Sequence, residues 1–164
     1  MLIEMTISTL AFDPTMNMPL VLLKSEDGSR MLPIWIGLLE ASAIATKLEN
    51  ISLSRPMTHD LLKTMIETMG GKVKKIVITS IEENTYYAKI LLKLGDREMV
   101  FDARPSDSMA LALRTGAKIY AEESVIEKSR KIEIKERDLS STEKERWLEI
   151  LENMDPDDFG KYKM

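Results

Sequence analysis

Two Arg-Pro dipeptides constrain the fold of this chain more than any other feature of its sequence. Proline has no amide donor and restricts the preceding residue to extended backbone, so each dipeptide must lie at a corner where a new element begins. Arg55-Pro56 is followed by Thr58, and Arg104-Pro105 is followed by Ser106 and Asp107. Thr and Ser are favoured N-cap residues, and an acid in the first turn complements the helix dipole. We therefore expect a helix after each corner, capped by Thr58 and by Ser106.

Short apolar runs separated by turn residues fill the rest of the first 126 residues. They predict strands at 1–12, 19–24, 30–36, 73–81, 85–94, 98–103 and 118–121, and helices at 38–49, 59–69 and 109–114. Asp27-Gly28 supplies the positive φ angles that a tight hairpin turn requires. The pattern predicts an α+β fold with a mixed, mainly antiparallel sheet and a helix after each Arg-Pro corner.

The helix predicted after the first corner has a regular apolar stripe. Its members are Leu61, Leu62, Met65, Ile66 and Met69. Helical spacing of this kind is typical of core packing, and we expect the same for Trp35 in its apolar strand. The order of strands, Arg-Pro corner and capped helix occurs twice, which suggests an internal duplication.

The character of the chain changes after residue 126. Residues 128–138 are dense in charge, and Ile132 and Ile134 alternate as in a short exposed strand. Thr142 and Glu145 form a capping box for a final amphipathic helix. We therefore predict a domain at 1–126 and a charged C-terminal extension at 127–164, which docks on the domain or serves assembly.

Composition limits the chemistry that the chain can perform. With no Cys and a single His, thiolate and multi-histidine metal sites are excluded. Any metal site would consist mainly of carboxylates and would suit Mg²⁺ or Mn²⁺, and nothing indicates an organic cofactor. The formal charge of −4 argues weakly against tight, non-specific binding of nucleic acid, because such binding usually needs a basic face.

The chain has no predicted membrane segment. No apolar run approaches the roughly 18–20 residues that span a bilayer. Its first residues, Met1 to Thr6, carry an acid where a signal peptide would carry basic residues. We therefore expect a cytoplasmic protein with no membrane partner.

The candidate site residues are gathered near the two corners. His59 is the sole imidazole and thus the natural general base near neutral pH, with Asp60 beside it to orient the ring or hold a metal. The alternative is that Asp60 complements the helix dipole while His59 packs. Arg55 and Arg104, each held before a proline, suit phosphate binding and equally suit internal ion pairs. Acids that could contribute are Glu40, Asp60, Glu83, Asp102 and Asp107, although their spacing forms no recognised metal-binding string.

Four segments taken together resemble the bifunctional nuclease domain family. They are LPIWIG at 32–37 followed by Glu40-Ala41, RPMTHDLL at 55–62, TYYA at 85–88 and RPSDSMALALR at 104–114. The resemblance covers about residues 1–126, and Ser108 departs from the Ala expected at its position.

The resemblance implies hydrolysis of DNA and RNA, with nucleic acid as the partner. By motif position it implies Glu40, Arg55, His59 and Arg104 as catalytic residues, and Asp60 and Asp107 as metal ligands if a metal is used. The competing hypothesis is a non-catalytic homo-oligomer that binds a small anionic ligand or a protein. In that case the Arg and Asp residues would form a buried polar lock between two similar halves.

Overall fold

A computed structural model of the protein describes residues 1–129 and Asn153. The elements in these residues are β1 (Leu2–Asp13), β2 (Met18–Ser25), β3 (Met31–Trp35), α1 (Leu38–Leu48), α2 (Thr58–Thr68), β4 (Gly71–Glu82), β5 (Thr85–Leu94), β6 (Arg97–Ala103), α3 (Pro105–Thr115), β7 (Lys118–Glu122) and α4 (Glu123–Ser129). The strands form one sheet in the order β3-β2-β1-β7-β4-β5-β6. Every neighbouring pair is antiparallel except β4 with β7. The predicted α+β fold is confirmed.

Tight turns join the antiparallel strands as the sequence predicts. Between β2 and β3, Gly28 takes a φ of 70°, in the left-handed region that glycine tolerates best. The hydroxyls of Ser25 and Ser29 donate to the Asp27 carboxylate at 2.6 and 2.7 Å. These hydrogen bonds lower the pKa of Asp27 to about 2. The turn is therefore held by its own side chains.

The fold contains two similar halves, β1-β2-β3-α1 and β4-β5-β6-α3. β1 is antiparallel to β7 and β4 is parallel to it, so the two halves run in opposite directions on either side of β7. The Arg-Pro corners are not equivalent in these halves. Arg104-Pro105 leads from β6 into α3, whereas Gly37 occupies the matching position before α1, and Arg55-Pro56 leads into α2. The repeated unit is therefore three strands and a helix without the corner.

The core is centred on α3, which contacts α1, α2, β4, β5 and β7. Met109, Ala110, Leu111 and Ala112 of α3 are all buried. Alanines also occupy buried positions on α1, at Ala41 and Ala45. Small side chains on both helices let their backbones approach closely, which brings the N-terminal turn of α1 near that of α3.

Both predicted N-caps are wrong. α2 begins at Thr58 with Met57 as its N-cap, and α3 begins at Pro105 with Arg104 as its N-cap. In α3 the fixed φ of proline suits the first helical position, so the helix starts earlier than the sequence pattern predicts.

The prediction that the apolar stripe of α2 packs in the core is also wrong. Ile66 is buried, but Leu61, Leu62, Met65 and Met69 are exposed. The helix packs along α3 and part of β4. These two elements cover only part of the apolar face of α2, so the other apolar side chains stay exposed. Trp35 is partly buried, and its indole N–H donates to Asp13 at 2.9 Å.

Helix α4 was not predicted and crosses the proposed boundary at residue 126. Its Val125, Ile126 and Ser129 are buried. The division into 1–126 and 127–164 remains a prediction, and the strand, capping box and helix predicted beyond residue 129 lie outside the described residues. Within residues 1–129, no helix is long and apolar enough to cross a membrane.

The different burial of two helical leucines gives a direct test of this packing. Leu111→Ala in α3 should lower the free energy of unfolding by about 2–5 kcal/mol, because it leaves a cavity in the core. Leu61→Ala in α2 should change it by less than about 0.5 kcal/mol. Chemical denaturation followed by circular dichroism measures both. Equal losses would contradict the exposed position of the α2 stripe.

Candidate functional site

The candidate site lies where the N-terminal turns of α1, α2 and α3 meet. Each of these helices has an acid as its third residue, namely Glu40, Asp60 and Asp107. A carboxylate there is stabilised by the positive end of the helix dipole and can accept a hydrogen bond from the free backbone amides of the first turn. The structure therefore places three carboxylates on helix starts, and arginines bind each of them.

His59 and Asp107 form a hydrogen-bonded pair. The His59 Nε2 atom lies 2.9 Å from Oδ1 of Asp107, although the residues are 48 positions apart in the sequence. A carboxylate can only accept, so Nε2 must carry the proton, which leaves Nδ1 as the acceptor nitrogen of the neutral ring. The ring is only 13% exposed. The predicted orienting role of Asp60 is therefore taken by Asp107.

Arg104 joins this pair to α1. Its Nε and Nη2 atoms donate to the two oxygens of Asp107 at 2.8 and 3.2 Å, and its Nη1 atom donates to Glu40 at 2.8 Å. The side chain is nevertheless 63% exposed. Arginine has five N–H donors, so these three bonds leave two N–H groups for another acceptor.

Gly37 is needed for the position of Glu40. A Cβ atom on Gly37 would overlap the Glu40 carboxylate, which lies against the backbone at the start of α1. The absence of a side chain at residue 37 thus lets Glu40 reach Arg104.

Asp60 belongs to a separate ion pair with Arg114, a residue that sequence reasoning missed as a site member. The Arg114 Nε atom donates to Asp60 at 2.6 Å, and the Arg114 side chain is only 5% exposed. Its Nη1 atom donates to the Ala110 carbonyl, and the second Asp60 oxygen accepts the Met57 amide at 2.9 Å. The only sequence signal was an arginine within an otherwise apolar stretch of α3.

Arg55 is not joined to the His59–Asp107 pair by any contact of the described chain. It is exposed and lines a cavity of about 350 Å³ together with Asp60 and Arg114. Glu83 lies in the turn between β4 and β5, and Asp102 lies on β6. Of the predicted catalytic residues, the structure thus brings His59, Arg104 and Glu40 together around Asp107.

Two cavities flank this cluster. One, of about 360 Å³, lies between α1 and the start of α2, and the other, of about 620 Å³, lies between α2 and strands β5 and β6. His59, Arg104 and Asp107 line both of them. A substrate can therefore approach the pair from either side.

Asp60 and Asp107 remain ionised at neutral pH, because their pKa values are lowered. Burial by itself would raise the pKa of Asp107, but the hydrogen bonds from Arg104 and His59 bring that pKa below its ordinary value. Burial likewise opposes ionisation of Asp60, while the Met57 amide and Arg114 lower the pKa of Asp60 overall. The two carboxylates raise the pKa of Arg104, with Asp107 having the larger effect.

The side-chain donors do not fit a resident metal ion. Within the described residues, no group of three or more His, Cys, Asp or Glu side chains is placed to hold a metal. Arg104 already binds both oxygens of Asp107, and Arg114 binds Asp60. A neighbouring guanidinium repels a cation, so these contacts do not support Asp60 and Asp107 as ligands of Mg²⁺ or Mn²⁺. That assignment remains a prediction.

Comparison with known proteins places this site in a family. The model of the bifunctional nuclease domain matches residues 21–134. This chain belongs to the bifunctional nuclease domain family. The match contains Glu40, His59, Arg104 and Asp107, so the clustered residues lie inside the family domain, and the family supports a nuclease-related function.

The alignment covers nearly all of one relative but only about a third of the plant relatives. An uncharacterized protein of Mycobacterium tuberculosis (strain H37Rv) is 38% identical over 162 residues, which is 95% of this chain and 97% of the relative. Bifunctional nuclease 2 of Oryza sativa subsp. japonica is 32% identical over 111 residues, which is 65% of this chain and 34% of the relative. Bifunctional nuclease 1 of Arabidopsis thaliana is 31% identical over 100 residues, 58% of this chain and 31% of the relative. The chain thus spans about a third of these plant proteins.

The ion pair of Asp60 with Arg114 predicts a pH-dependent loss of stability. The pKa of Asp60 lies below 3.8 in the folded chain, so the stabilisation is complete above that pH and is lost as the pH falls below it. Asp60→Asn should therefore be less stable than the wild type at pH 7, and the difference should shrink below about pH 3.8. Denaturation at several pH values measures this, with Asp96→Asn in an exposed turn as the control. A difference that is independent of pH would contradict the ion pair.

Proposed function

We propose that this chain hydrolyses phosphodiester bonds in DNA and RNA. The observation that carries the proposal is the His59–Asp107 hydrogen bond, made beside a partly free guanidinium at the mouths of two cavities. Family membership supports the same reaction class, because the plant relatives are named bifunctional nucleases.

His59 is the general base in this proposal. Its Nδ1 atom takes a proton from a water molecule as the water oxygen forms a bond to phosphorus. The Asp107 carboxylate stabilises the imidazolium that results and keeps the ring in one orientation. As the bond from phosphorus to the leaving oxygen breaks, His59 returns the proton to that oxygen. The step needs no further reactant.

Arg104 stabilises the negative charge that develops on the phosphoryl oxygens. Its two remaining N–H groups can bind a phosphate oxygen pair while its other donors stay on Asp107 and Glu40. Glu40 and Asp107 act as positioning residues for the guanidinium. Arg55 lines the neighbouring cavity and would bind the nucleic-acid backbone farther from the reacting phosphate.

The ion pairs between helices favour a second candidate function, in which the protein is a non-catalytic binding module. Arg104 with Glu40 links α3 to α1, and Arg114 with Asp60 links α3 to α2. In a non-catalytic homo-oligomer that binds a small anion or a protein, the same contacts would serve only as a structural lock. Sedimentation velocity tests the predicted oligomer, and the kinetics below distinguish the two functions.

Substitutions in the His59–Asp107 pair should abolish most of the activity without unfolding the protein. His59→Ala and Asp107→Asn should each lower kcat by about 10²- to 10⁴-fold, because each removes proton transfer by an oriented base. Arg104→Lys should also be impaired, since lysine cannot make the two-pronged contact. The measurement is cleavage of labelled DNA and RNA oligonucleotides by purified variants whose circular dichroism spectra match the wild type.

Matched controls come from the β5–β6 turn and β6, away from the site. Arg97→Lys and Asp96→Asn make the same changes as Arg104→Lys and Asp107→Asn but at exposed positions, and they should leave kcat unchanged. The site chemistry also predicts that activity survives a chelator. No cleavage by the wild-type protein would favour the structural lock, whereas wild-type activity in both His59→Ala and Asp107→Asn would point to another site or a contaminant. Activity lost on chelation and recovered with Mg²⁺ or Mn²⁺ would instead support Asp60 and Asp107 as metal ligands.

A further inference from the structure

The larger cavity beside Arg104 has apolar walls that the proposed chemistry does not use. Its volume is about 620 Å³, and its walls come from α2 on one side and from β5 and β6 on the other. The apolar side chains include Leu62, Met69, Leu92, Met99 and Phe101. The polar groups that line it include His59, Arg104 and Asp107, at the helix starts. The cavity is thus apolar along its length and charged at one end.

Phe101 presents an aromatic face to this cavity. It is paired with Ile90, a core residue, so its ring points to the helix side of the sheet. The ring remains 48% exposed. Leu62 and Met69 on the opposite wall are exposed as well, although helical spacing predicts that they pack in the core. Exposed apolar walls of this kind indicate a binding site rather than packing.

We propose that this cavity binds an unpaired base of single-stranded DNA or RNA, stacked on Phe101, with the attached phosphate at Arg104. The inference rests on the proposed nuclease function for its class of ligand. The volume lies in the range of about 300–1,000 Å³ that accommodates a ligand of this size. Stacking on an aromatic ring is tolerant of sequence and of sugar, because every base has a π-face. One cavity can therefore serve both nucleic acids.

A base with its phosphate fits the cavity better than a second copy of this chain. The phosphate would accept from the two free N–H groups of Arg104 while the base covers the apolar walls. A protein surface laid over the cavity would have to bury Arg104, Glu40 and Asp107 as well, and burying charged groups without new partners is costly. Duplex DNA cannot enter, because its bases are already stacked and paired.

Binding measurements test the base site at Phe101 independently of phosphodiester cleavage. The probe is a labelled oligothymidylate with phosphorothioate linkages, and its matched control has the same backbone with abasic tetrahydrofuran residues. Fluorescence anisotropy should give a Kd about 10-fold or more lower for the oligothymidylate. Phe101→Ala should remove that preference, whereas Phe101→Trp should retain it.

Val100→Ala provides the matched protein control. Val100 lies on the same strand and is 59% exposed, but it is paired with Leu91 and faces the other side of the sheet. The Val100→Ala variant should bind both oligonucleotide probes with the affinities of the wild type. A protein that cleaves nothing yet prefers oligothymidylate through Phe101 would support the base site and refute the nuclease. Equal affinity for both probes, or a Phe101→Ala effect confined to self-association in sedimentation velocity, would overturn the base site even if cleavage is observed.

Discussion

The Asp107 carboxylate accepts hydrogen bonds from two cationic or proton-carrying side chains, Arg104 at 2.8 Å and His59 at 2.9 Å. It lies at the start of α3, the helix at the centre of the core, and is itself partly buried. Without this carboxylate, His59 would lose its hydrogen-bond acceptor and Arg104 would keep Glu40 alone as a counter-ion. The orientation of both groups, and hence any chemistry at this point, depends on Asp107.

The ion pair of Arg114 with Asp60 supports the contacts of Asp107, because it fixes the start of the helix that carries His59. Arg114 is buried in α3 and holds Asp60, which in turn accepts the Met57 amide at the start of α2. These contacts fix where α2 begins, and therefore where His59 lies relative to Asp107. The Arg114 side chain is buried, so removing Asp60 would leave a buried guanidinium without its carboxylate, and this contact holds the start of α2 in place. The rest of α2 packs through Ile66 and leaves an apolar face open to the larger cavity.

Local sequence patterns predicted much of the fold and part of the site. The strands followed from apolar runs and turn residues such as Gly28, and the two corners followed from the restriction that proline places on its neighbours. His59, Arg104, Glu40 and Asp107 were named from the sequence, and the structure joins them. Arg114 was missed, and Asp60 was given the wrong partner, because their contact spans 54 residues and no local pattern encodes it. Periodicity likewise identified the α2 stripe but could not tell how much of it another element would cover.

Catalysis by His59 requires that Asp107 holds the ring through Nε2, with Nδ1 free to accept a proton. His59 is the only histidine, so a long-range ¹H–¹⁵N correlation spectrum contains a single imidazole spin system. Once the ring is neutral, we expect a protonated Nε2 and an unprotonated Nδ1 in the wild type, and loss of this fixed tautomer in Asp107→Asn. A neutral ring with its proton on Nδ1, or a spectrum unchanged by Asp107→Asn, would contradict the assignment of Nδ1 as the base.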